Sequence, residues 1–237
     1  MVGVVVGVAA GTVPGAAAAV VLLAAVAWLL SARALPFALR LVGGAPVDDA
    51  AMAALANQVE GLCATVGVPQ PELWLVDEPV ANACALAGSG GRSVLVVTSG
   101  LLSRLGIIEL EGVLAHELVH LKRRDAAVSA VAVATAGVVA WVTGRDELVH
   151  RAVGRGREYG ADQAAALAVR YPPGLHDALV SMGSGPRARP ASSTVFAGRR
   201  WSATRWIWID PMVGSAGPAP VGELDATSVR IGALAEW

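Results

Sequence analysis

Charge is scarce in this 237-residue chain: 16% of residues are Asp, Glu, Lys or Arg, against about 25% in soluble domains. None occurs before Arg33. With 55% hydrophobic residues, the composition excludes a disordered chain and argues against a purely soluble one. The charges nearly cancel, 18 basic against 19 acidic. No electrostatic footprint for nucleic acid exists, and no nucleic-acid partner is expected. Lys122 is the only lysine, and Ala, Val and Gly are abundant, which reads as genomic base composition. Two cysteines, Cys63 and Cys84, build no disulfide scaffold and form no Cys-x-x-Cys pair, so a thiol-ligated metal is not expected. The length fits one domain, or one domain with an attachment.

The uncharged stretch from Val4 to Leu30 is long enough to span a bilayer, which takes roughly 20 apolar residues. A cleaved signal peptide would carry a basic region ahead of that run. Here the basic residues follow it, at Arg33 and Arg40. A retained anchor over residues 1–42 is therefore expected, with the chain after Arg33 on the cytoplasmic side. Gly11, Pro14 and Gly15 are candidate break points. After Gly43-Gly44-Ala45-Pro46, Asp48 or Asp49 is placed to cap a helix to about Val66. Leu73–Val76, Asn82–Leu86 and Ser93–Thr98 read as strands, the last two joined by a Gly88–Gly91 turn, which predicts a small antiparallel sheet. Ile107, Leu110, Leu114, Leu118 and Leu121 then recur at helical spacing.

His116-Glu117-Leu118-Val119-His120 lies within that helix. At 3.6 residues per turn the two histidines stack on one face, close enough to share a metal ion. Glu117 projects about 100° away and can act on a metal-activated water without being a ligand. In a chain with four histidines the pattern arises by chance about 0.003 times. The leucine stripe lies nearly opposite, which predicts that the histidines stay out of the core seam. A catalytic zinc takes three protein ligands. His150 and His176 are the only other imidazoles, and His150 is the rival third ligand. Glu158, in Arg157-Glu158-Tyr159-Gly160-Ala161-Asp162, is the better candidate. Asp162, one turn on, is placed to accept a hydrogen bond from a ligand histidine and fix its tautomer.

Together with Asn82-Ala83-Cys84-Ala85, Gly88 and Val97–Leu102, these motifs resemble the HtpX-like membrane zinc metalloproteases, relatives of the CAAX prenyl endopeptidases. The resemblance covers roughly residues 47 to 183. It implies an α+β, mainly helical, zincin-type metalloprotease domain over residues 43–237 with a small antiparallel sheet and an N-terminal transmembrane helix. It also implies one Zn²⁺ per chain and polypeptide substrates, membrane or misfolded proteins met at the lipid bilayer. By the same resemblance Asn82, Ala83, Cys84 and Ala85 border the cleft, where a peptide adds as a further strand. Members often carry a His-Pro pair near the C-terminus; the corresponding stretch here, Asp225 to Ile231, has no histidine. Arg230 or Tyr159 is the candidate oxyanion stabiliser in its place.

Family members commonly carry a two-helix membrane hairpin after the zinc helix, whereas this chain has one apolar run, Ala126–Thr143. His120 and Glu158 must meet on one side of the membrane, and the polar stretch after Thr143 cannot return through lipid. The run is therefore expected to be a helix packed in the domain or partly embedded, with a hairpin dipping near Gly137 as the other reading. Ser184–Ser202 reads as a loop. Trp201, Trp206 and Trp208, interleaved with arginines, fit either the headgroup level or a strand with one packed face. The expected function is a membrane-anchored zinc endopeptidase with Glu117 as general base. The alternatives are a sensor-type metalloprotease of the antibiotic-response receptors, which shares Arg123-Arg124-Asp125 after its zinc helix, and an inactive zinc-binding membrane scaffold.

Overall fold

The computed structural model describes residues 2–47, 52–154, 156–184, 195–211 and 227–236, with side chains from Ala18 onward. It opens with one continuous helix, α1 (Val2–Val42), unbroken at Gly11, Pro14 and Gly15. Val20, Leu22, Leu23 and Trp28 are exposed, whereas Ala34, Leu35, Ala38, Leu39 and Val42 are buried against the rest of the chain. The segment Ala18–Val42 is long and apolar enough to cross a membrane.

A four-stranded sheet follows. β1 (Ala45–Pro46), α2 (Ala53–Val66), β2 (Glu72–Val76), β3 (Ala83–Ala87) and β4 (Ser93–Thr98) come in that order along the chain, and the strands lie in the order β1-β2-β4-β3. The helix reaches Val66 as expected; its proposed cap at Asp48 or Asp49 lies outside the described residues. The sheet is mixed rather than purely antiparallel. β3 and β4 form the expected hairpin, but β4 then inserts parallel to β2. The cause is that β4 is apolar on both faces: Val94, Leu95, Val96 and Val97 are all fully buried, as suits a central strand. Period-2 alternation divides the sheet between two cores. Ala83, Leu95 and Val97 face one core, with α2; Cys84, Leu86, Val94 and Val96 face the other, with the end of α1. Both cysteines are buried thiols.

After α3 (Ser99–Arg104), the central helix α4 (Ile107–Lys122) begins where the Glu109 carboxylate accepts from Gly106 N at 2.7 Å. Every residue from Gly112 to His120 is buried. His116 and His120 are buried too, although outside the cluster that Leu114 and Leu118 join, so over these residues α4 is enclosed on both faces. It is packed by β3, α2, α8 (Arg157–Val169) and α9 (Pro172–Ser184). At Gly112 a Cβ would come within 2.7 Å of Leu175 N and 2.9 Å of Leu175 Cα, backbone atoms that cannot rotate away. Gly112→Ala is expected to lower stability by about 1–3 kcal/mol through this overpacking; an unchanged urea midpoint would contradict the α4–α9 contact.

Between α4 and α8 the apolar run forms α5 (Asp125–Ala134) and α6 (Ala136–Thr143), bent by 45° at Thr135, and then α7 (Glu147–Val153). Ala126, Ala130, Val133 and Ala140 are buried, while Val128, Val131, Val139, Trp141 and Val142 remain exposed. Of the expected 184–202 loop, residues 185–194 lie outside the described residues, and the end is helical in α10 (Gly198–Thr204). A 3₁₀ turn, Arg205–Ile207, follows, and α11 (Thr227–Leu234) closes the described chain. Trp201, Trp206 and Trp208 are buried in the second core. They occupy neither a strand nor an exposed surface, because Phe196 packs on Trp201 and Trp208 and His150 stacks on Trp206.

Candidate active site

Two polar rings on the buried stretch of a helix need polar partners, and two other elements, α8 and α5, supply them. His116 and His120 stand one turn apart on α4, with Nε2 atoms 3.1 Å from each other. Glu158, in the first turn of α8, reaches both: Oε2 lies 3.0 Å from His116 Nε2 and Oε1 lies 3.3 Å from His120 Nε2. Asp162, one turn further along α8, places Oδ1 2.9 Å from His116 Nδ1, close although bent as a hydrogen bond. Asp125 holds the other ring, with Oδ2 3.1 Å from His120 Nδ1. This return is made by Arg124, which adopts the left-handed conformation (φ 65°) between α4 and α5.

Two guanidiniums back the carboxylates. Arg157 Nη2 donates to Glu158 Oε1 at 2.9 Å, and its Nη1 donates to Ser129 Oγ. From α11, Arg230 clamps Asp162 in a bidentate pair, Nε to Oδ2 at 2.7 Å and Nη2 to Oδ1 at 2.8 Å. It also donates Nη1 to Ile209 O. Burial alone raises the Asp162 carboxyl, but Arg230 and His116 outweigh it and hold it below the usual carboxylate range. Glu158 behaves alike: burial opposes its charge, and His120 with Arg157 pulls it well below that range. For His116, burial lowers the pKa, yet the Asp162 and Glu158 carboxylates reverse this and lift it to about 9. Glu117 has no comparable partner to offset burial, which pushes its carboxyl upward.

His116, His120 and Glu158 are the one group among the described residues whose donor atoms converge closely enough to hold a metal ion. Their separations of 3.0–3.3 Å approach the roughly 3.3–3.6 Å between ligand atoms of a tetrahedral zinc site with bonds of about 2.0–2.2 Å. Each histidine aims Nε2 at the common point and turns Nδ1 to a carboxylate, the orientation that carboxylates impose on metal-ligating histidines. The residues present fit a divalent cation. His150 does not join them: it is buried and stacked on Trp206 at 3.9 Å.

Asn82 to Ala85 form the outer edge of the sheet, all buried. Asn82 O accepts from Thr98 N, so the next carbonyl, that of Ala83, points away from β4 and accepts from Ile209 N at 2.9 Å. The Asn82 side chain brackets Asp210, donating Nδ2 to its carbonyl at 3.0 Å and accepting from its N–H at 3.1 Å. Tyr159 is half-buried beside Glu158. Arg230 is wholly buried and committed to Asp162 and Ile209. Sequence reasoning did not find the roles of Arg157 and Asp125 in orienting the donors. Their adjacency to Glu158 and to the end of α4 was the available signal.

A helix carrying His-Glu-x-x-His, completed by a glutamate from a later helix beside a small sheet, defines a zincin-type metallopeptidase domain. The sequence pattern of peptidase family M48 matches residues 49–205, and the chain belongs to that family. It is 35% identical over 158 residues to the "Protease HtpX homolog" of Dictyoglomus turgidum, covering 53% of this chain and 52% of that protein. It is 35% identical over 190 residues to the one of Tropheryma whipplei strain Twist, covering 66% and 62%. To the one of Acidiphilium cryptum it is 33% identical over 199 residues, 70% and 68%. The chain thus spans about half to three fifths of the first two relatives. These matches bear out the HtpX-like resemblance and favour neither the sensor-type receptor protease nor the inactive scaffold.

Proposed function

We propose that this chain is a membrane-anchored zinc endopeptidase whose catalytic domain, residues 43–237, acts at the cytoplasmic face on membrane or misfolded proteins. The convergence of His116, His120 and Glu158 on one point carries the reading, and these three residues are assigned as the zinc ligands. Bound zinc supplies Lewis acidity, polarising the scissile carbonyl and lowering the pKa of water. The chain's own groups do the rest. Glu117 takes a proton from the attacking water and returns it to the leaving amine, and its burial-raised carboxyl suits both halves of that transfer. Asp162, clamped by Arg230, and Asp125 orient the two imidazoles. The β3 edge at Asn82–Ala85 receives the peptide backbone. Tyr159 is the assigned oxyanion stabiliser, because Arg230 is taken up in holding Asp162. α1 anchors the chain, and the bare valine face of α5 and α6 meets lipid.

Glu158→Ala tests the ligand set. The variant is expected to retain less than about a tenth of the wild-type zinc after dialysis, in line with a metal-ligand loss; unchanged metal content would reopen the assignment of the third ligand.

Zinc must displace the proton on His116. That imidazole's pKa is raised from 6.5 to about 9, so its stabilising contribution to the metal-free fold is fully present below pH 6.5 and lost as pH rises through about 9. Zinc affinity has the opposite slope. It is expected to rise about tenfold per pH unit across that window and then level off, and competition with a chelator at several pH values reads it. A flat affinity between pH 6.5 and 9 would show that the carboxylates do not raise the His116 pKa.

A further inference from the structure

The β3 edge that a substrate peptide would join is already occupied by a short irregular segment, extended at Trp208 (φ −90°, ψ 148°). Ile209 donates its N–H to Ala83 O at 2.9 Å and its carbonyl accepts from Arg230 Nη1. Asp210 exchanges two hydrogen bonds with the Asn82 side chain, at 3.0 and 3.1 Å. All four bonds are made by main-chain atoms of residues 209 and 210, so they are independent of sequence and available to any extended peptide. The location matters as much as the pattern. Arg230 Nη1, which holds the Ile209 carbonyl, lies 3.8 Å from Glu158 Oε2, a donor of the His-His-Glu cluster.

The segment is pinned at both ends by groups outside that cluster. Trp206 stacks on His150 at 3.9 Å, and Thr227 Oγ1 donates to Asp210 Oδ1 at 2.9 Å. Ile209 and Trp208 are buried, at 1% exposure each.

We infer that Trp208–Asp210 is an internal strap occupying the peptide-binding edge, which a polypeptide substrate must displace to reach the metal centre. The inference rests on the peptidase reading of the site. Displacement exchanges four hydrogen bonds for four equivalent ones, so opening is governed by the pins and by the burial of Trp208 and Ile209, not by the edge. Affinity for any peptide is reduced by the fraction of molecules that are closed. The strap thereby makes the enzyme latent toward weakly binding chains, while a well-matched extended segment competes it off.

Amide hydrogen exchange on the full-length, zinc-loaded chain in detergent tests this directly, with a dipeptide hydroxamate as the probe. Saturating hydroxamate is expected to raise exchange at the Ile209 and Asp210 amides about tenfold or more, since their acceptors are taken by the probe. Unchanged protection at both amides, while the hydroxamate inhibits, would show a permanent wall and overturn the strap. Thr227→Val removes one pin at similar volume. It is expected to raise casein cleavage and hydroxamate affinity by the same factor, about threefold to tenfold, the equivalent of one hydrogen bond; equal or lower values of both would also overturn it. Failure of the peptidase reading looks different: wild-type chain with no zinc and no hydroxamate binding.

Discussion

Arg230→Met lowers the stability of the fold by about 3–5 kcal/mol, the cost of breaking a buried ion pair by removing one partner. Arg230 is fully buried and supplies three donors, two to Asp162 and one to Ile209 O. Methionine fills much of the volume but leaves the Asp162 carboxylate, itself 2% exposed, with only the bent contact from His116. A further change of Asp162 to leucine removes the stranded charge, so the double variant is expected to recover much of the lost stability. It does not recover the orientation of His116, and its zinc affinity stays low by about 10–100-fold, the usual cost of losing such an outer partner. Urea unfolding and zinc competition separate the two effects. A single variant within about 1 kcal/mol of wild type would show that the clamp is not a load on the fold.

Glu117→Gln is expected to reduce cleavage by about 10²–10⁴-fold, the range for loss of a general acid–base group, with zinc retained. The amide matches the carboxyl in size and cannot take up the proton. Glu117 is 2% exposed, and burial already disfavours its charge, so the neutral side chain should leave the urea midpoint unchanged or raise it. Cleavage above about a tenth of wild type would remove the role of proton carrier; loss of zinc along with activity would make Glu117 a ligand.

The parts of the site legible in the sequence are those governed by helical period. His116, Glu117 and His120 share one helix, and Glu158 and Asp162 share another, so spacing alone places each pair. The contacts that complete the centre are remote along the chain: Arg230 meets Asp162 across 68 positions, and Asn82 meets Asp210 across 128. No local pattern carries such pairings, which is why Arg230 reads as an oxyanion candidate in the sequence and as a clamp on Asp162 in the fold. The sheet shows the same division. Each strand is visible from its apolar residues, and the Gly88–Gly91 turn makes the β3–β4 hairpin visible too. The parallel insertion of β4 beside β2 was signalled only by Val94–Val97 being apolar on both faces. The tryptophans were ambiguous because alternation with arginine fits a strand, a 3₁₀ turn or an interface equally. Their burial is decided by Phe196 and His150, which periodicity does not connect to them.

Metal content and proteolysis measured on the same preparation of the full-length chain in detergent test the central claim most directly. The account predicts about one zinc per chain and cleavage of casein that a chelator stops and added zinc restores. Cleavage that survives complete removal of the metal, or a purified chain that neither holds zinc nor takes it up, would contradict it.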